Sequence, residues 1–204
     1  MAKISIGIEK RVSLSILELA LRAVLDGSAS SNYFMELALA GCTGTNRAKK
    51  SVALLNRLTV KNSLLPYIEA HSEQVNHMLR SNMDKPLLFS AMMCAAYTLF
   101  YDTVSLLGKY FHVQKTVSRA FLLQKLSEKY GSNRTLDVAF DCVMPMLIEA
   151  GIIQRSGPGV YALVKQEKYS EHAAAIYKQA FLLNNPNFSD KDEVEGNPFF
   201  EFIR

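Results

Sequence analysis

Apolar positions recur at steps of three and four residues along most of the chain, so the pattern predicts a mainly helical protein. A first helix is expected over about Leu14 to Leu25, stopped by Asp26-Gly27. Ser30 or Ser31 can cap a short second helix, Tyr33 to Ala40, before Gly41-Cys42-Thr43-Gly44 breaks the pattern. Thr45 is the expected cap of a third helix reaching about Leu58, with Val52, Leu55 and Leu58 at helical spacing. A fourth, shorter helix is expected over Tyr67 to Arg80. Pro86 suits the start of a long apolar helix from Leu87 to about Tyr110, because an amide in that first turn would go unpaired anyway.

From Thr116 the pattern is more informative. TVSRAFLLQKLSEKYG reads as a helix with Ala120, Leu123 and Leu126 on one face and Gly131 at its end. Ser132 and Asn133 can cap the next helix, in which Leu136, Ala139, Phe140, Val143 and Leu147 form a buried face. Gly151 stops it. Ile152 and Ile153 then begin a strand, Gly157-Pro158-Gly159 turns it, and Val160, Tyr161 and Leu163 return. Helix, turn, helix, glycine, strand, turn, strand is the order of a winged helix-turn-helix. Pro145 removes one backbone hydrogen bond and should kink the second of these helices.

The expected fold class is therefore mainly α: a multi-helix bundle with a C-terminal winged helix-turn-helix-like module containing one short β-hairpin. The expected divisions are a helical part over 1–112, the winged-helix-like module over 113–168, a C-terminal helix over 169–188 and an acidic, aromatic tail over 189–204. Only that tail reads as disordered.

The 204 residues are 49% hydrophobic and 21% charged, enough for one large domain or two small ones with a real core. The one membrane candidate has a charge-free part, Leu87 to Tyr101, that is too short for the roughly twenty residues a bilayer requires, and Asp102 follows it. A buried core helix is the better reading. Charges at Glu9, Lys10, Arg11, Glu18 and Arg22 interrupt any signal peptide, so the expected location is the cytoplasm. Cys42, Cys94 and Cys142 form no C-x-x-C pair and read as buried thiols rather than a disulfide framework or a zinc site.

Net charge is +4 but uneven. Five acids against Lys191 and Arg204 give the last fifteen residues −3, which leaves +7 on residues 1–189. No acid stands between Glu36 and Glu69, while Arg47, Lys49, Lys50, Arg57 and Lys61 are basic. None stands between Asp102 and Glu128, while Lys109, Lys115, Arg119 and Lys125 are basic. Arg47 and Lys50, three apart, share a helix face, and Lys115 and Arg119, four apart, are expected to do likewise. Such faces bind polyanions by releasing counterions, or they simply keep a protein soluble.

The winged-helix reading makes Ser132 to Asp141 the leading part of a recognition helix. Asn133 and Arg134 would face base edges, Thr135 a phosphate, and Arg155 at the mouth of the hairpin the DNA backbone. Asp137 and Asp141 put two negative charges on the same helix and weigh against it.

Other chemistry is thinly represented. AGCTGTNRAKKS lacks the glycine spacing and the Gly-Lys of a phosphate-binding loop, although the helix start at Thr45 can still hold a phosphate. His71 and His77 lie six apart, on different faces of a helix, and no pattern completes a metal shell. No catalytic motif, cofactor signature or metal set stands out, so no cofactor is expected and the protein reads as a non-enzyme. Tyr97, Phe100, Tyr101, Tyr110 and Phe111 form an aromatic stripe read as core packing ahead of base stacking. The tail NPFFEFIR can anchor on its own domain or on a partner.

The LDG of the first helix, the basic helix ending NRLTVKNSLLPYI, the long apolar helix and LIEAGIIQRSGPGVYAL follow one another over residues 14–165. In that order they resemble the small BrxA component of bacterial BREX phage-defence systems, a mainly helical family of about this size. The resemblance implies a DNA-binding protein working beside other subunits of a defence complex. It offers no catalytic residue and makes Arg47, Lys49, Lys50, Arg57 and the Asn133–Arg134 helix start sensible DNA contacts. The expected partner is double-stranded DNA, held mainly through phosphates. The alternatives are a protein adaptor using the module and the tail, and a sequence-specific repressor, which needs a dimer.

Overall fold

The computed structural model describes residues 6–164, 168–189 and 191–204. Asp190, counted above in the acidic tail, lies outside them. The described residues hold ten α-helices, three short strands and one 3-10 helix, more helices than the periodicity suggested.

The first three helices are α1 (Leu14–Leu25), α2 (Ser31–Gly41) and α3 (Thr45–Leu58), packed on one another. The Ser13 hydroxyl accepts from the Ile16 amide and that of Ser30 from the Tyr33 amide, so both helices start on side-chain caps. Thr45 does not cap α3. It is the first helical residue, and Gly44 holds the cap position at φ 95°, where a side chain would be strained.

The expected fourth helix is two: α4 (Leu65–Ala70) and α5 (Ser72–Met78). They part at His71, whose ring stacks on Tyr67 at 4.2 Å while Nδ1 donates to the Tyr67 carbonyl oxygen at 2.9 Å. The long apolar helix is also two, α6 (Lys85–Ala96) and α7 (Thr98–Phe111), separated by extended backbone at Tyr97. At twelve residues, α6 is about 18 Å long, against about 30 Å of hydrocarbon. Among the described residues no helix is long and apolar enough to cross a membrane. Every residue of α6 from Pro86 to Cys94 is buried, with α3, α5, α7 and α10 (Glu171–Asn184) around it.

After α7 the chain forms β1 (Thr116–Ser118), α8 (Arg119–Tyr130), α9 (Arg134–Glu149), β2 (Ile153–Gly157) and β3 (Val160–Leu163). The expected helix from Thr116 therefore begins three residues later, since Thr116 to Ser118 pair with β3 instead. All pairing is antiparallel in the order β1-β3-β2, with Tyr161 of the central strand opposite Val117 and Arg155. α9 runs through Pro145, which leaves the Asp141 carbonyl without its helical amide. At the far end of α7, the Asp102 carboxylate accepts from Lys129 at 2.7 Å and from the Tyr130 hydroxyl at 2.5 Å, which fixes the end of α8 to α7.

The tail is folded. Pro198–Ile203 form the 3-10 helix, which packs against α7 and buries Phe199, Phe200 and Phe202. Phe199 stacks on Tyr177 at 4.3 Å and on Tyr101 at 5.1 Å, and the Tyr177 hydroxyl donates to the Phe199 carbonyl oxygen at 2.9 Å. The aromatic stripe of α7 is thus core, as Phe100 is fully buried and Phe111 meets Phe202 edge to face. The close approach depends on Gly108, where an added Cβ would collide with the Pro198 carbonyl oxygen. Gly108→Ala should therefore lower unfolding stability by about 1–3 kcal/mol and free the tail to protease. Unchanged denaturant unfolding and an uncut tail would show that the tail is not held this way.

Candidate nucleic-acid interface

The helix start singled out above is built and open. Asn133 caps α9, its Oδ1 accepting from the Leu136 amide at 3.1 Å while Nδ2 lies 3.3 Å from the Tyr130 carbonyl oxygen, to which it donates. The carboxamide is therefore committed at both ends to holding the turn between α8 and α9. Arg134 and Thr135 follow it as the first two residues of the helix, both exposed. Asp137, Val138 and Asp141 continue the open face of α9.

Around the hairpin, several charges converge on Tyr161. Arg119 donates to Asp141 through Nη2 at 2.7 Å and Nε at 3.2 Å, with its guanidinium carbon 5.7 Å from the centre of the Phe140 ring. Its backbone amide donates to the Gly159 carbonyl oxygen at 2.7 Å, joining the start of α8 to the hairpin turn. Burial pushes the Tyr161 hydroxyl's pKa up, and the positive charges of Arg155 and Arg119 oppose that shift. Arg155 stands opposite Tyr161 in the sheet and is exposed. Lys115 is exposed in the connection before β1. It does not share a helix face with Arg119 as the four-residue spacing suggested, because α8 starts only at Arg119.

The basic residues of α3 divide into two groups. Arg47 and Lys49 are exposed, with no partner among the described residues. Lys50 is paired with Glu9 at 2.5 Å, which helps hold that carboxyl below the usual glutamate range. Arg57 is exposed but anchored: its Nε donates to the Ala96 carbonyl oxygen at 3.1 Å, and its guanidinium lies 5.3 Å from the Tyr97 ring centre.

The segment before α1 adds two cations that spacing along the chain did not point to. Ile6, Ile8 and Val12 are buried, which leaves Lys10 and Arg11 beside Arg47, Cys42 and Glu149 around one concavity of about 310 Å³. Burial raises the Cys142 thiol's pKa, and the positive charges of Lys10 and Arg11 pull it the other way. Basic side chains thus run from α3 through Lys10 and Arg11 to α9. The run stops short of Arg134, since Asp137 and Asp141 occupy the open face between them. No local signal reveals this arrangement, because an extended segment packs against two distant helices.

Only Cys94 is fully buried; Cys42 and Cys142 are half-buried, which corrects the expectation of three core thiols. Among the described residues no group of three histidine, cysteine, aspartate or glutamate side chains could hold a metal ion. No protein-family model, no curated protein and no solved structure matches the chain.

The cap can be separated from any base contact at Asn133. Asn133→Ala should cost about 1 kcal/mol of stability, whereas Asn133→Ser should lose only a fraction of that because serine also caps. Equal losses in thermal unfolding for the two variants would refute the capping role.

Proposed function

We propose that residues 98–163 form a winged helix-turn-helix unit, and that the protein is a non-enzymatic, DNA-binding accessory protein. The observation that carries this reading is the open start of α9, Arg134 and Thr135, in a unit whose hairpin carries exposed Arg155. The order α7, β1, α8, α9, β2, β3 with a β1-β3-β2 sheet supports the winged-helix part. In such a unit the second helix of the pair enters the major groove by its amino-terminal end. Arg134 then reaches guanine or phosphate, Thr135 a phosphate, and Arg155 the flanking backbone. Exposed Val138 adds an apolar surface of the kind that meets a thymine methyl group.

The charge balance of this unit supports the proposal better than its sequence did. Of its five acids, Asp102 is bound by Lys129 and Tyr130, Glu128 by Lys125, and Asp141 by Arg119. Glu149 accepts from the Leu14 amide at 2.7 Å, away from the open start of α9. Asp137 alone has no partner among the described residues, while Lys109, Lys115, Arg134 and Arg155 are cations without one. Within the same proposal, the chain acts in the bacterial cytoplasm as a small component of a BREX phage-defence system. The adaptor alternative loses its aromatic anchor, because Phe199, Phe200 and Phe202 are buried in the protein's own core.

Fluorescence anisotropy on unrelated duplexes, titrated across salt, tests the reading. Binding should fall steeply with salt, and Arg134→Glu and Arg155→Glu should each weaken it and flatten the salt slope by about 1. Asp137→Asn should tighten it by removing the one unpaired carboxylate. Absence of binding at low salt would sink the proposal. Binding that ignores all three changes but falls in Arg47→Glu/Lys49→Glu would move the DNA to α3.

A further inference from the structure

The break between α6 and α7 opens beside a second basic feature that the DNA reading does not use. A cavity of about 510 Å³ lies between the segment before α1, the outer side of α3 and the ring of Tyr97. Four cations line it, Lys10, Lys50, Arg57 and Lys61, against the single carboxylate of Glu9. That carboxylate is already held by Lys50, so three positive charges remain in one half-enclosed space. Like charges gathered in a concavity repel each other and draw in an anion.

The arrangement also has a fixed element. The Arg57 Nε–H bond to the Ala96 carbonyl and the Tyr97 ring beneath it hold the guanidinium in place. Both terminal nitrogens are left without a partner among the described residues, and that fork matches two oxygens of one phosphate. A single phosphate ion would fill only part of such a volume, which falls in the range of small-molecule sites, roughly 300–1,000 Å³.

We propose that the cavity bounded by Lys10, Lys50, Arg57, Lys61 and Tyr97 binds a small polyphosphate anion, of the size of a nucleoside di- or triphosphate. Arg57 grips one phosphate in a bidentate fashion, and Lys10 and Lys61 neutralise the remaining charge. The site is built from residues other than Arg134, Thr135 and Arg155, so it stands or falls separately from DNA binding by α9.

Isothermal titration of the full chain with adenosine triphosphate and with inorganic triphosphate, at physiological salt, tests it. One-to-one saturable binding is expected, weakened about tenfold or more in Lys10→Gln/Lys61→Gln, a change that leaves the structural Arg57–Ala96 bond in place. Lys49→Gln, on α3 beside Lys50 but outside the cavity, should bind as the parent does. Tighter binding of adenosine triphosphate would mean that the nucleoside is also held, and equal binding that the phosphates alone are; both support the site. No saturable binding, or equal weakening by Lys49→Gln, would overturn it. So would a duplex affinity that falls as far as triphosphate binding in Lys10→Gln/Lys61→Gln, because the cavity would then be part of a DNA surface.

Discussion

A helix that ends inside a protein leaves carbonyl oxygens with no water to accept from, and each one left unpaired costs roughly 1–3 kcal/mol. α6 ends this way at Ala96, in the middle of the structure. Asn184 donates to the Cys94 carbonyl at 3.0 Å and Arg57 to that of Ala96 at 3.1 Å, while Asn62 adds a second donor, at 2.9 Å, to the Met92 carbonyl that the helix itself already pairs. These donors come from the connection after α3, from the end of α10 and from α3 itself. Two separate parts of the chain, α3 and α10, thus supply the donors that the end of the apolar helix lacks.

The remaining architecture depends on that stop. Had the apolar run continued as one helix, its second half would have projected straight past the core. Extended backbone at Tyr97 instead redirects the chain into α7. One side of α7 carries β1 and α8, and the 3-10 helix of the tail packs against it as well. α7 is thus both the first helix of the basic unit and the floor on which Phe199 and Phe202 dock. The same break turns the Ala96 carbonyl toward Arg57, so the polar device that ends α6 also shapes the cavity beside it.

What could be read in the sequence follows this division between local and distant causes. α1 was legible to the residue, and the α8–α9 turn and the hairpin nearly so, because caps, glycines and apolar spacing act within a few residues. The break at Tyr97 was not legible, since neither glycine nor proline marks it and its donors lie tens of residues away. Thr116 to Ser118 are a strand only because β3 pairs with them more than forty residues later. Glycine at position 108 carried no turn signal, and its purpose appears only when Pro198 lies against it. The acid-free windows misled in the same way: Glu9 reaches Lys50 and Asp141 reaches Arg119 from outside them. Of the candidate site, the start of α9 and Arg155 were found from local signals. Lys10 and Arg11 were not, because packing alone brings them to α3 and α9.

The ion pairs also bound how such a protein can hold DNA. A cation already matched by a carboxylate releases little further counterion charge when a phosphate arrives, so Lys125, Lys129 and Arg119 contribute weakly. The unit from α7 to β3 then offers at most Lys109, Lys115, Arg134 and Arg155, which corresponds to a logarithmic salt slope of about −3 to −4. That is a shallow grip for a single copy, and the committed carboxamide of Asn133 leaves few groups to read bases. Useful affinity in the proposed function therefore has to come from several chains, or several subunits, on one duplex. A small accessory component suits that demand better than a regulator acting alone, since added subunits supply phosphate contacts without each needing to recognise a sequence.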